Sequence, residues 1–528
     1  MRYTTIGVFS FLALLFFAGT TAAQAGLPKP GASFDTYLEH GIWTWFGDPK
    51  AIYFKGVHEK TYVSYFDITT NPGNVLVSSY DHETKEIKSF LVATNFGYDD
   101  HNHPSILVRE PDHRILVFWC GHSGNVMHMR VSTNPEDVTS WGPALSIISG
   151  ANGDNFTYPN PYQLSAENNR IYLFYRGIDW QQTMTWSDDG GTTWTKPFKF
   201  FAGGNRPYHK YHSNNVDEIH TVMDYDNRAL PEEYLCIKKG GFYGANGQLV
   251  RTIADVQANG PITSADLPQI FIKGSTGNAS VWDIALDDKG RPVFVSDSIQ
   301  NGHHYYWTRW TGTKWEKHYL MNSGAEMGGE FGFACGITVD HANPNIVYLS
   351  HWVTGSNGSF PELERWITSD SGTTWAKTVV TANSTAQNDR PCVPRGYTTG
   401  HGIGLIWLYV RSYTNWFGPF DSDVKMYTFD DNPSVGVTQT KPTASARRVF
   451  DVTREGFSFV LGDPAASSLK IYSIAGRLVS DLSARVRSLS SGSHVVALQK
   501  GALPQGAYVA RFATSANQAI TRTFVISK

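Results

Sequence analysis

The sequence predicts an all-β protein: a seven-bladed β-propeller followed by a small C-terminal β-sandwich domain. Three observations lead there. Short runs rich in Val, Ile, Tyr, Phe and Trp dominate, among them ILVFWC (115–120), RIYLFYRG (170–177), EIHTVMDY (218–225), RPVFVSD (291–297), IVYLSHW (346–352) and GIGLIWLYV (402–410). Each is bounded by Gly, Asn, Asp or Pro, as strands are. No stretch of helical period separates them, which argues against βαβ units and for an antiparallel meander. Finally, a turn repeats: Ser187–Trp194 (SDDGGTTW) and Thr368–Trp375 (TSDSGTTW) share the form S/T-x-D-x-G-x-T-W, and weaker echoes end at Trp141 and Trp315. In such a turn Asp bonds backbone N–H groups, Gly takes positive φ and Trp packs beneath. The four tryptophans are 53, 121 and 60 residues apart, or one, two and one units. About 410 residues divided by ~58 gives seven units.

Composition narrows the function. With 44 Lys+Arg against 47 Asp+Glu, a net charge of −3, the chain has no electrostatic reason to bind nucleic acid or an anionic membrane. Its 41% hydrophobic content excludes disorder as a whole. The 49 glycines and 14% aromatic residues suit many turns and a sugar-stacking surface.

From the N-terminus, Arg2, the apolar run Ile6–Ala18 and the small residues of TTAAQAG read as a signal peptide over 1–25, cleaved near Ala23 or Ala25. The alternative, a transmembrane anchor, needs ~20 apolar residues. The expected location is secreted or cell-surface, without membrane insertion. Residues 26–434 form the propeller, taken as the catalytic domain, 435–448 a polar linker and 449–528 the strand-rich C-terminal domain. Cys120, Cys236, Cys335 and Cys392 are scattered and make no disulfide framework. The repeated turn resembles the Asp-box of sialidase-like propellers. The C-terminal pattern KIYSIAGRLV…LPQGAYVARF resembles the sorting domains of bacterial outer-membrane secretion systems, which implies contact with secretion machinery; an accessory, sugar-binding sandwich is the alternative.

The densest polar segment is Tyr98-Asp-Asp-His-Asn-His-Pro104, directly before a strand, and His122 follows about twenty residues later, after the next strand. Histidines at the ends of neighbouring strands can reach a common cleft, and histidine is the commonest general acid or base. The plainer alternative is that His101 and Asp100 bond turn backbone. Tyr158, Arg176, Arg206, Tyr208 and Tyr211 recur at blade-edge turns of the following units, as side chains ringing a cleft would; singly, Arg176 or Tyr211 also suits packing.

The order DDHNHPSILVRE, WCGHS, YPNPY, FYRG, RPYHKY, EIHTV and TSDSGTTW resembles the BNR-repeat family that contains the secreted ulvan lyases, from about residue 35 to about 430. The resemblance implies a polysaccharide lyase that cleaves an acidic, uronic-acid-containing polysaccharide, ulvan foremost, by β-elimination. It implies catalytic histidines at His101 and His122, with an arginine and a tyrosine from the following blades. Elimination needs a base for the C5 proton, an acid for the leaving O4, and donors that neutralise the carboxylate. On that chemistry His101 is assigned as base, Tyr208 (or Tyr158) as acid, and Arg206 with His122 as neutralisers. Asn102, Tyr158, Arg176 and Tyr211 are the expected substrate contacts.

His220, Cys236 and His303 (or His304) are suitable zinc ligands on strands of adjacent units. The resemblance implies a structural Zn²⁺, with no metal required for the chemistry; a buried Cys beside satisfied histidines is the alternative. Two other functions fit the same fold. One is a sialidase-like glycoside hydrolase drawing on Glu362, Glu364, Arg365 and Arg395; the other is a non-catalytic glycan-binding propeller.

Overall fold

Seven antiparallel sheets succeed one another along the first part of the chain. The computed structural model describes residues 35–429 apart from 70–71, 152, 205, 226–231, 269, 271–278, 300, 328–332 and 399–401, and most of 450–526. The expected signal peptide and the linker 435–448 lie outside the described residues. Contacts divide the chain into Met1–Ser434 and Val435–Lys528.

In the first unit, the innermost strands of blades 2 to 7 begin at Ser105, Thr157, Pro207, Ala279, Ile337 and Gln387, and blade 1 is built from Gly41–Ala93. Contacts between successive sheets run around the whole set and return from blade 7 to blade 1, closing the ring. Closure has a covalent logic. Blade 7 takes three strands from Gln387–Phe429 and its fourth, outermost strand from Asp35–Leu38, with Asp35 opposite Met426 and Leu38 opposite Val424. The two ends of the unit are thereby stapled together, and no sheet edge is left between them.

The second strands of the blades, such as Arg114–Trp119 and Arg170–Arg176, are buried almost throughout because sheets cover both faces. That is why they read as continuous apolar runs rather than alternating ones. The repeated turn occupies the link between the third and fourth strands of blades 3 and 6 with matching bonds. Asp189 Oδ1 accepts from Thr193 N–H at 2.8 Å, and Trp194 Nε1 donates to Gly191 O at 3.1 Å. Asp370 and Trp375 repeat this at 2.8 Å and 3.2 Å. Trp141 and Trp315 sit at the same link in blades 2 and 5, so the spacing of one, two and one units is a spacing of blades. Gly372 (φ +91) turns against Trp307 of blade 5, where a Cβ would come within 2.8 Å of the ring. Gly372→Ala is expected to destabilise the protein by about 1–3 kcal/mol, read from chemical denaturation.

The second unit packs a three-stranded and a four-stranded sheet around Phe457, Leu469, Ile471, Val486, Val496 and Phe512, the expected β-sandwich.

Candidate functional site

The site starts from a capped turn. Asp99 precedes a single 3₁₀ turn, Asp100–Asn102, and its Oδ1 accepts the His101 backbone N–H at 2.9 Å. The same oxygen lies 2.7 Å from His101 Nδ1, while Oδ2 lies 2.7 Å from His122 Nδ1. One carboxylate therefore holds both imidazoles, and their rings stack in parallel, 3.9 Å apart with an interplanar angle of 1°. With Nδ1 of each committed to Asp99, both rings carry Nε2 on their outer edge.

The two histidines are electrostatically unequal. His101 Nδ1 also lies 2.9 Å from Asp100 Oδ1. Asp100 is fully buried, and its Oδ2 accepts from Arg390 Nη1 at 2.9 Å and Tyr413 Oη at 2.8 Å, both from blade 7. Burial opposes the charge on His101, but hydrogen bonds to Asp100 and Asp99 raise it to about 9. For His122 burial dominates, the Asp99 bond offsets it only in part, and the neighbouring His101 adds repulsion, so its proton is held below the usual value. At neutral pH the pair is one imidazolium and one imidazole. His122 is also the more open, with 19% of its side chain exposed against 10% for His101.

Blades 3 and 4 supply the other wall. Tyr158 has a left-handed backbone (φ +60) at a register shift between Thr157 and Asn160, which turns its ring toward the histidines. An aromatic residue holds that conformation only when its surroundings enforce it. Asn160 does so, donating to Tyr158 O at 2.8 Å and to Phe46 O at 3.2 Å. The Tyr158 ring lies 5.6 Å from His101 and 6.2 Å from Tyr208. Burial pushes its phenol well above 10, so it is a proton donor. Arg176 donates to Thr157 Oγ1 at 3.0 Å and places its guanidinium 4.9 Å from the Tyr158 ring, 5.8 Å from Tyr208 and 4.8 Å from Trp180. Arg206 covers the other contact of Trp180 at 5.4 Å.

Thus His101, His122, Tyr158, Arg176, Arg206 and Tyr208 come together. This is also where the comparisons enter. A sequence profile of the BNR repeat-containing family matches residues 60–323. The chain belongs to the BNR repeat-containing family. No curated protein matches it. Among solved structures, two described as a new family of polysaccharide lyase, PL25 ulvan lyase, are similar: 17% identity, a TM-score of 0.57, and coverage of 75% of this chain and 95% of theirs. One of them is described as bound to GlcA(1-4)Rha3S. At this identity the likeness is one of fold.

Two expected substrate contacts of this BNR-family chain have other places. Tyr211 is 1% exposed, packed on Phe174, with its hydroxyl 3.0 Å from Gln182 Oε1: it is core between blades 3 and 4. Asn102 is buried, accepting His122 N–H at 2.6 Å and donating to Phe96 O; it positions the His122 loop. The carboxylates weighed for a hydrolase are also engaged elsewhere. Glu362 accepts from Ser384 N–H and Oγ, and Glu364 from Trp366 Nε1. Arg395 pairs with Asp283 at 3.0 Å in the central channel. Asp48, paired with both Lys50 and Lys210, lines the same cavity.

His220 and Cys236 face each other across neighbouring strands of blade 4. Their third partner is Glu218, not His303. The donor atoms of Glu218, His220 and Cys236 lie within 4.8 Å of one another, whereas His303 is buried in blade 5 against Asp297 and His304 faces Tyr319. A thiol, an imidazole and a carboxylate are donors that suit zinc. His220 Nδ1 is bonded to Tyr234 Oη at 2.6 Å, which leaves Nε2, 3.2 Å from Glu218 Oε2, as the ligand atom. The donor atoms of Asp99, His101 and His122 are equally close to one another, but their Nδ1 atoms and the carboxylate already satisfy one another.

Proposed function

We propose that this protein is an exported polysaccharide lyase that cleaves a uronic-acid-containing glycan, ulvan foremost, by β-elimination. The observation that carries this reading is the stacked histidine pair held by one carboxylate, with the Tyr158 ring beside it and the guanidinium of Arg176 against that ring. The unequal charges reverse the roles expected from sequence. His122, neutral and more open, is the base whose Nε2 takes the C5 proton. The His101 imidazolium, with Arg206, faces the substrate carboxylate and lowers the energy of the enolate-like intermediate, while the buried Arg176 stacks on Tyr158 and holds that wall in place. Electrons from the C5–H bond form the C4=C5 double bond, the C4–O4 bond breaks, and Tyr158 or Tyr208 returns a proton to O4.

Incubation with ulvan tests this directly. Elimination gives ultraviolet absorbance from the conjugated double bond, hydrolysis gives reducing ends without it, and simple binding gives neither. The charges also set the pH dependence. Activity needs His122 unprotonated and His101 protonated, so kcat is expected to rise through an acid limb below the ordinary histidine value and fall through an alkaline limb at about 9. A rate without an ionisation at either end would overturn the assignment.

We propose further that Glu218, His220 and Cys236 hold a structural Zn²⁺. The Cys236 thiol, pushed up to about 12 by burial, has no reason to ionise without a metal. Cys236→Ala is expected to lose bound zinc in elemental analysis and to lower the melting temperature, with both pH limbs of activity unmoved. The C-terminal sandwich is read as the secretion-sorting module. Among the described residues no helix is long and apolar enough to cross a membrane.

A further inference from the structure

The turn joining the second and third strands of blade 7, Gly402–Tyr413 and Phe420–Phe429, presents Trp416 and Phe417 to solvent, 37% and 59% exposed. This exposure belongs to a built turn. Asp100 N–H donates to Trp416 O at 3.1 Å, Phe417 N–H to Asn415 Oδ1 at 2.9 Å and Gly418 N–H to Asn415 O at 2.9 Å. Gly418 (φ +78) crosses Tyr98 with no room for a Cβ, and Tyr98 is itself stacked on Phe420 at 5.1 Å. The Trp416 ring stands 6.1 Å from His101 at 83°, with Phe417 5.3 Å beyond it.

Side chains therefore form one continuous file across the propeller face: Phe417, Trp416, His101, Tyr158, Arg176, Trp180 and Arg206. Its two ends differ in kind. Trp180 is contacted by two guanidiniums, while the ring neighbours of Trp416 are His101, set edge to face, and Phe417. A sugar carrying a charged substituent suits the Trp180 end; the Trp416 end offers only ring faces, which suit the C–H face of a pyranose.

We propose that Trp416 and Phe417 form a stacking subsite for the uncharged face of the sugar next to the uronate, on the blade 7 side of the histidines. The inference rests on the lyase reading and deepens it. A platform that is already rigid costs little ordering when the glycan binds, and one that stacks on a sugar face without touching the reacting atoms contributes to binding more than to the chemical step.

The test is calorimetric binding of size-defined ulvan oligosaccharides to the full-length protein carrying His122→Ala, which does not turn over. Adding Trp416→Ala is expected to weaken affinity about two- to tenfold, and Trp416→Phe to restore most of it. In the otherwise unaltered protein, Trp416→Ala is expected to raise KM by a similar factor with kcat and melting temperature unchanged. Equal affinity with and without Trp416 would overturn the subsite while leaving the lyase reading intact. Failure of any oligosaccharide to bind either protein would overturn both.

Discussion

Replacing His122 with alanine is expected to lower kcat for elimination by about 10²–10⁴-fold, the usual worth of a positioned base, without unfolding the propeller. The fold survives for a specific reason. His122 is partly exposed, and when its ring is removed Asp99 still accepts from His101 Nδ1 and from the His101 backbone N–H. No buried charge is left without a partner. His101→Ala gives a different outcome. It removes the one cation between Asp99 and Asp100, and Asp100 is fully buried, so activity and melting temperature are expected to fall together. Ultraviolet assays and thermal melts of the two variants separate these cases. Full eliminating activity in folded His122→Ala would place the base elsewhere.

The propeller was legible because its turns are local. Asp189 and Asp370 bond residues within a few positions of themselves, and a motif that closes on itself is written in consecutive letters. The members of the site are legible for the same reason: His101, His122, Tyr158, Arg176, Arg206 and Tyr208 all sit at ends of strands of blades 2 to 4. The charges were not. Asp100 obtains its buried partners from Arg390 and Tyr413, on the blade that also closes the ring, and nothing in the neighbourhood of residue 100 names them. Those bonds are the ground on which His122 rather than His101 is proposed as the base. Tyr211 misled because it shares the segment of Tyr208, yet residues an odd number apart on a strand face opposite sides. The converse signal was available for the metal group. Glu218 lies two residues from His220, the spacing that returns to the same side of an extended chain, whereas His303 lies one blade away.

Arg390→Met is expected to cost about 3–5 kcal/mol at neutral pH, the range for removing one partner of a buried ion pair. Asp100 and Arg390 are both almost without exposure, and the guanidinium also donates to Trp43 O and lies 3.8 Å from the Trp45 ring. Methionine restores much of the volume, so the loss reports charge more than cavity. The pH dependence supplies the sign. Burial pushes the Asp100 carboxyl up, but Arg390, His101 and Tyr413 hold it well below the usual range. Its stabilising contribution is therefore present above the unfolded carboxylate value of ~4 and is lost as pH falls further. Without Arg390 the folded carboxyl rises, and the buried Asp389, which burial raises to about 7 against the pull of Arg390, rises with it. The gap between parent and variant should consequently be widest near neutrality and narrow steadily on acidification, measured by urea denaturation across pH. At the alkaline limb Asp100 is ionised and, without Arg390, has the His101 imidazolium as its cation, so the limb of activity moves up from about 9. Arg390→Lys, which keeps a cation but not the planar stack on Trp45, should recover part of the limb's position. A variant whose stability falls while the limb stays in place would mean that Arg390 braces blade 7 without governing the charge on His101.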